Sequence, residues 1–86
     1  MTEPVIIHPS AVISPTAVIK PGTIIRENVV LSRKVHIGEG VILNIGVLID
    51  HNCEIGDNTH LPMGAIVRNN IRIPELSVFQ PGDVIE

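Results

Sequence analysis

The sequence is poor in aromatic residues, in cysteine and in cations. Its 86 residues include one Phe, no Trp and no Tyr, and six Lys and Arg stand against nine Asp and Glu, for a net charge of −3. A nucleic-acid-binding domain would need a basic stripe or aromatic stacking platforms, so this composition argues against that class. The single cysteine, Cys53, excludes a disulfide framework within the chain and fits a reducing compartment.

Long apolar runs are also missing. No stretch approaches the roughly 20 apolar residues of a membrane span, and the first ten residues, MTEPVIIHPS, lack the basic-then-apolar order of a signal peptide. We therefore expect a soluble, cytoplasmic protein with one domain, residues 1–86. A domain of this size buries only about 60% of the surface of its unfolded chain, which favours support from repeats or partner subunits.

Large apolar residues recur at every sixth position, without an insertion. The fourteen members of this series, called anchors below, are Ile7, Ile13, Ile19, Ile25, Leu31, Ile37, Leu43, Ile49, Ile55, Leu61, Val67, Ile73, Phe79 and Ile85. The residues two positions before the anchors are mostly small or β-branched, as are Ala11, Val29 and Cys53. Side chains alternate across a strand, so both positions face inward, and pairs such as Pro21-Gly22 and Asp57-Asn58 turn the chain between strands.

A six-residue period does not match the 3.6 residues per turn of an amphipathic helix, whereas it suits a parallel β-helix. The sequence predicts an all-β fold, a single-stranded parallel β-helix of hexapeptide repeats without a helical cap. Thirteen hexads run from Ile7 to Val84 and make about four coils of three hexads each.

The hexad map also predicts the outer surface, because every third hexad stacks on the same face. One face presents Val12, Val30, Leu48, Ile66 and Val84, the next Ile6, Ile24, Ile42, His60 and Val78, and the third Val18, His36, Glu54 and Arg72. Two such apolar faces are unusual on a monomer. We expect them to form the interfaces of a closed ring, and a homotrimer suits a triangular prism.

The four histidines occupy different places on this map. His8 and His36 fall at the first coil and on the polar face, where solvated surface side chains are expected. His51 lies at a corner, and His60 points outward from an otherwise apolar face. These two project from different sides of one prism, yet His51 of one subunit can approach His60 of a neighbour. Cys53 falls at a small inward position and is expected to be a core residue.

Two strings carry a family resemblance. IHPSAVISPTAVI near the start and DHNCEIGDNTHLPMGA in the middle resemble the β-helical domain of the sialic acid O-acetyltransferase and bacillosamine N-acetyltransferase group of sugar acyltransferases. That resemblance implies a left-handed β-helix and acetyl transfer from acetyl-CoA to an amine or hydroxyl of a sugar or nucleotide-sugar acceptor. No metal is expected.

The resemblance also implies roles for four residues. His51 would be the general base, and His60 would lie near the acetyl donor. Gly64 would let the backbone approach the pantetheine arm, and Asn69 stands where the family places a glycine that donates a backbone N–H. Asn52 stands where the family has an acidic residue beside the catalytic histidine, so Asp50 or Asp57 would have to supply that carboxylate.

Two other function classes are compatible with the sequence. The first is a non-catalytic trimeric scaffold, since relatives continue for further coils. The second is a zinc-dependent hydratase like the β-helical carbonic anhydrases, which would require three converging histidines. That group uses two histidines five residues apart, whereas successive histidines here are separated by 28, 15 and 9 residues.

Overall fold

The computed structural model describes residues 3–86, which form thirteen two-residue strands, β1–β13 in chain order, and no helix. Each strand ends on one of the anchors, so the chain turns after every hexad. Residues 1 and 2 of the predicted domain lie outside the described part. The described residues contain no segment that qualifies as a membrane-spanning helix.

The strands form three parallel sheets, because each strand pairs with the strand eighteen residues away. Sheet A contains β1 (Ile6–Ile7), β4 (Ile24–Ile25), β7 (Ile42–Leu43) and β10 (His60–Leu61), and Val78 bridges to His60. Sheet B contains β2 (Val12–Ile13), β5 (Val30–Leu31), β8 (Leu48–Ile49), β11 (Ile66–Val67) and β13 (Val84–Ile85). Sheet C contains β3 (Val18–Ile19), β6 (His36–Ile37), β9 (Glu54–Ile55) and β12 (Arg72–Ile73). The chain is a left-handed β-helix of about four coils, which confirms the predicted fold.

The strand registers confirm the predicted outer columns. Leu48 pairs with Val30 and Ile66 on sheet B, and Glu54 pairs with His36 and Arg72 on sheet C. Outward aliphatic side chains on sheets A and B remain open to solvent in the single chain; Val12 is 62% exposed and Val78 is 81% exposed. Sheets A and B are therefore apolar outside, and sheet C is polar.

Corners between the sheets follow one backbone pattern. Each corner is named after the two sheets that it joins. Corner AB comprises residues 8–11, 26–29, 44–47, 62–65 and 80–83, and corner BC comprises residues 14–17, 32–35, 50–53 and 68–71. Corner CA comprises residues 20–23, 38–41, 56–59 and 74–77. The third residue of each corner from Gly22 to Gly82 has a positive φ, which favours Gly and Asn. Its N–H usually donates to a carbonyl of the preceding coil, as Asn58 N–H does to Glu39 O at 2.8 Å.

The first two corners, residues 8–11 and 14–17, differ in conformation from the later ones, and this difference explains their sequences, HPSA and SPTA. Ser10 and Thr16 do not adopt a positive φ, and Ala11 N–H closes a turn onto His8 O at 3.0 Å. The hydroxyl oxygens replace the carbonyl acceptors of later coils: Ser10 Oγ accepts Asn28 N–H, and Thr16 Oγ1 accepts Lys34 N–H, both at 2.9 Å. Hydroxyl residues therefore supply the acceptors that the next coil needs.

Inward side chains fill the prism from Thr23 to Ile73, with Leu43 and Leu61 completely buried. The buried Thr23 hydroxyl donates to Gly38 O at 2.8 Å and accepts Val41 N–H at 3.2 Å. In residues 3–86, no buried side-chain nitrogen or oxygen lacks a partner. The core is thus mainly apolar, and its few polar side chains are all hydrogen-bonded, which gives the corners a rigid base.

Candidate active site at corner BC

Corner BC stacks the residues around His51. Sheet register places Arg33, His51 and Asn69 at equivalent positions of three successive coils, eighteen residues apart. Asn70 N–H donates to His51 O at 3.1 Å, and Asn52 N–H donates to Arg33 O at 3.1 Å. The backbone on both sides of His51 is therefore fixed to the neighbouring coils, while its half-buried side chain faces outward.

The ring of His51 contacts its own corner through one nitrogen. His51 Nδ1 lies 3.0 Å from Asn52 Oδ1. Asn52 adopts φ 59°, a left-handed conformation that asparagine tolerates better than most residues. One ring nitrogen is therefore engaged within the corner, and Nε2 is the nitrogen left for a substrate.

Neither aspartate considered from the sequence contacts this ring. Asp50 Oδ1 accepts the backbone N–H of His51 at 2.7 Å, so it shapes the turn. Asp57 belongs to corner CA, where its Oδ1 accepts Glu39 N–H at 2.9 Å. The ring partner is the amide of Asn52, and both carboxylates are occupied by backbone groups.

Cys53 is buried below this corner, which confirms its assignment to the core. Its side chain has no exposed surface, and Sγ lies 3.0 Å from Arg68 O. Burial raises the pKa of the Cys53 thiol, because a thiolate is poorly solvated there. The thiol is therefore protonated at neutral pH and is a poor nucleophile.

Cations are concentrated around His51. Arg33, Lys34 and Arg68 all belong to corner BC and are exposed, and they make up three of the six Lys and Arg residues. Asp50 is the one carboxylate of this corner. Corner BC therefore carries a local excess of positive charge in a chain whose net charge is −3.

The other predicted site residues divide between two parts of the prism. Asn69 shares corner BC with His51 and is exposed. His60 lies on sheet A and Gly64 lies on corner AB, next to that sheet. Gly64 has φ 74°, a conformation that favours glycine, and a Cβ there would come no closer than 3.9 Å to another residue, so the space outside it is open.

Corner BC is the vertex opposite sheet A in a triangular prism. His51 and His60 therefore project away from each other in one chain, as the hexad map predicts. A site that uses both histidines needs His51 from one chain and His60 from another.

His8 and His36 are exposed, as predicted. His36 lines a shallow groove of about 690 Å³ along sheet C, together with Lys20, Glu54, Asp57, Arg72 and Glu75. None of the four predicted site residues lines this groove. In residues 3–86, no three His, Cys, Asp or Glu side chains are close enough to hold a metal ion, so a zinc site would need ligands from more than one chain.

Two features of the site were not predicted from the sequence. One is the contact between Asn52 and the His51 ring, and the other is the set of cations in corner BC. The eighteen-residue spacing carries a signal for the second, because it stacks corners as well as strands and brings Arg33 beside His51. The side-chain contact depends on torsion angles that the repeat does not encode.

Comparison with known proteins places the chain among acyltransferase β-helices. The family described as bacterial transferase hexapeptide (six repeats) matches residues 34–82. A solved structure of the acetyltransferase domain of PglB from Neisseria gonorrhoeae has a TM-score of 0.81 and 33% identity over 84% of this chain. PerB from Caulobacter crescentus, solved with CoA and GDP-perosamine, has a TM-score of 0.68 and 27% identity over 98% of this chain.

A variant of GDP-perosamine N-acetyltransferase from Caulobacter crescentus is similar in fold, with a TM-score of 0.78 and 24% identity over the whole chain. No curated protein sequence matches the chain. The chain spans 35% of the Neisseria domain and 44% and 50% of the two Caulobacter chains. Because the hexapeptide match covers more than half of its residues, and the structure shows the same repeat coil by coil, the chain belongs to the bacterial transferase hexapeptide family.

Proposed function

We propose that the chain is the β-helix of an acetyl-CoA-dependent acetyltransferase. Its acceptor would be an amine or hydroxyl of a sugar, most simply a nucleotide-linked one. The observation that carries the proposal is a half-buried histidine held by its backbone on a cationic corner, with Nε2 left for a substrate. The fold of sugar N-acetyltransferases solved with CoA supports the same reaction class.

The proposed chemistry uses His51 as general base. The acceptor nitrogen or oxygen attacks the thioester carbonyl, and His51 Nε2 takes the proton that the acceptor loses. The tetrahedral intermediate collapses, the C–S bond breaks, and CoA leaves as the thiol after gaining a proton. A neutral imidazole suits this role near neutral pH, and such a base contributes roughly 10²–10⁴-fold to the rate.

Acetyl-CoA fits the polar groups on this corner. Arg33, Lys34 and Arg68 can bind phosphates, which both CoA and a nucleotide-linked sugar carry. Asn69, one coil from His51, is placed to offer a backbone or side-chain donor to the thioester oxygen. Gly64 leaves open space beside sheet A for the pantetheine arm of a donor.

The proposed assembly is a homotrimer in which sheet A of one subunit faces sheet B of the next. Two different apolar surfaces on one subunit suit a closed head-to-tail ring. This arrangement would bring the neighbour's His60 toward corner BC, which carries His51 and Asn69. It also removes from water aliphatic side chains such as Val12 and Leu48, which are 62% and 41% exposed in the single chain.

Acceptor screening tests the reaction. The purified chain is incubated with acetyl-CoA and a panel of nucleotide-linked amino sugars and hydroxy sugars, and thiol release is measured. We expect CoA release that depends on one acceptor class. Release at the rate of spontaneous hydrolysis with every acceptor would contradict the enzyme proposal and favour the scaffold alternative.

Sedimentation velocity tests the assembly. We expect a trimer for the natural sequence and a monomer for Leu48→Asp, because a carboxylate would be buried without a partner. Val18→Asp is the matched control, since Val18 is also an outward strand residue but lies on the polar sheet C. A monomeric natural protein, or loss of the trimer in Val18→Asp alone, would contradict this arrangement.

A further inference from the structure

We propose that Asn52 is a positioning residue that selects the tautomer of His51. Its side-chain carbonyl accepts the Nδ1–H of the imidazole and thereby leaves Nε2 as the basic nitrogen. The catalytic consequence rests on the proposed function, whereas the tautomer can be measured without any substrate.

The contact itself argues for this tautomer. His51 Nδ1 and Asn52 Oδ1 lie 3.0 Å apart, and an amide oxygen can only accept a hydrogen bond. Nδ1 must then carry the proton, and a neutral ring has its lone pair on Nε2. With its amide turned over, Asn52 would present its NH₂ group to Nδ1 and select the opposite tautomer, so the two orientations make opposite predictions.

The backbone holds Asn52 in place for this contact. Its N–H donates to Arg33 O at 3.1 Å, and its φ of 59° is set by the corner. His51 is held on both sides as well, since its N–H donates to Asp50 Oδ1 and its carbonyl accepts Asn70 N–H. The ring and the amide therefore meet on a fixed backbone, which lowers the entropy cost of their hydrogen bond.

The other left-handed asparagines show that the turn does not need this contact. Asn28, Asn58 and Asn70 have φ values of 59°, 56° and 59°, the same conformation as Asn52. Within residues 3–86, their carboxamides make no side-chain hydrogen bonds. The turn accounts for asparagine at all four positions, and the contact with a histidine ring is particular to Asn52.

A neutral partner also has a consequence for pH dependence. A carboxylate at this position would stabilise the imidazolium by its charge as well as orient the ring. An amide orients the ring without adding that charge. An aspartate and an asparagine at position 52 therefore differ in whether they favour the protonated ring.

The first test is the tautomer of His51 in the full chain. Long-range ¹H–¹⁵N correlation spectra are recorded at a pH where the imidazole is neutral, and His51→Gln identifies the signal among the four histidines. We expect the Nδ1–H form in the natural sequence and a shift toward a mixture in Asn52→Gly, which keeps the left-handed turn. An Nε2–H form in the natural sequence, or an unchanged tautomer in Asn52→Gly, would overturn the proposal.

The second test is kinetic and is used once an acceptor is known. Asn52→Gly should lower kcat about 10- to 100-fold at unchanged KM, the range for residues that orient a functional histidine. Asn58→Gly, which changes the same kind of turn in corner CA, should leave kcat unchanged. Asn52→Asp should retain turnover with the acidic limb of its pH–rate profile moved to higher pH. Equal kcat in Asn52→Gly and the natural sequence would overturn the catalytic part.

The two tests separate this inference from the function proposed above. If no acceptor is ever acetylated, the proposed function fails while the tautomer experiment still decides the role of Asn52. If acetyl transfer is found and the tautomer does not depend on Asn52, the enzyme proposal stands and the positioning role is wrong.

Discussion

Two successive corners of the same coil, residues 50–53 and 56–59, share one backbone and use their side chains differently. In both, an asparagine at the third position has a positive φ and donates its N–H to the preceding coil: Asn52 to Arg33 O, and Asn58 to Glu39 O. In both, the fourth residue is buried, Cys53 in one and Thr59 in the other.

Two polar side chains of residues 56–59, those of Asp57 and Thr59, are directed at the backbone. Asp57 Oδ1 accepts Glu39 N–H, and Thr59 Oγ1 donates to Pro74 O at 3.2 Å. A Cβ at Gly56 would collide with the backbone of Glu75, so this corner is closely packed. The side chains of Asp57 and Thr59 serve the fold.

Residues 50–53 differ because they carry an imidazole whose hydrogen-bond partner is a neighbouring side chain and not the backbone. Asp50 caps the turn and Cys53 fills the core, but within residues 3–86 the ring of His51 hydrogen-bonds only with the neighbouring amide. A rigid turn that carries an uncommitted imidazole among cations is what a positioned general base requires. The comparison shows that the repeat builds the same turn at both corners, and that the candidate base is a side chain that the turn does not use.

The largest predicted effect concerns corner BC, which carries the proposed general base. His51→Ala should lower kcat about 10²–10⁴-fold, because the acceptor proton would lose its base, with thermal stability nearly unchanged. Turnover of acetyl-CoA with an active acceptor measures this. His36→Ala is the matched control on sheet C and should retain full activity. Equal turnover in His51→Ala and the natural sequence would remove His51 from the mechanism.

The next largest effect concerns residues 56–59, the corner whose Asp57 and Thr59 side chains support the fold. Asp57→Ala should destabilise the fold by about 0.5–1.5 kcal/mol, because Glu39 N–H loses its acceptor. Urea denaturation followed by circular dichroism gives the free energy of unfolding. The activity per folded molecule should be unchanged. A large loss of kcat at normal stability would show that this corner takes part in the chemistry.

A smaller effect concerns the cations beside His51. Arg33→Gln and Arg68→Gln should each raise KM for acetyl-CoA up to about fivefold, as expected for one exposed charge contact of up to about 1 kcal/mol. The increase should shrink at high salt, because exposed charges are screened. Arg26→Gln, on corner AB, serves as the control. An effect as large in Arg26→Gln would mean that the charge of the whole chain, and not corner BC, attracts the donor.

The smallest effect concerns the buried fourth residue that the two corners share. Cys53→Thr should change the free energy of unfolding by less than about 1 kcal/mol and leave turnover unchanged, since Thr23 and Thr59 fill equivalent inward positions. The new hydroxyl would donate to Arg68 O, as Thr59 does to Pro74 O. Chemical denaturation and the turnover assay measure both quantities. Lost turnover in a stable Cys53→Thr protein would contradict the assignment of Cys53 to the core.

Most of the fold could be predicted because the repeat has no insertion. The six-residue period determines which side chains face inward. Three periods, or eighteen residues, make one coil and determine which strands pair, so the pairing of β5, β8 and β11 follows from the spacing alone. The positions of Gly and Asn likewise mark the left-handed turns. Lys34 and Leu76, at φ 56° and 61°, show that the coil can impose this conformation on residues that do not favour it.

The candidate site could be predicted only in part. The position of His51 at a corner and of His60 on an apolar face follows from the hexad map. The partner of the ring does not, because a carboxylate was expected and Asp50 and Asp57 both bind backbone groups instead.

Titration calorimetry of the purified chain with acetyl-CoA tests the central claim most directly, because donor binding must precede any transfer. The account predicts saturable binding at one site per chain, weakened by Arg33→Gln and retained in Asp57→Ala. No binding at millimolar acetyl-CoA would contradict an acetyltransferase site built on this β-helix.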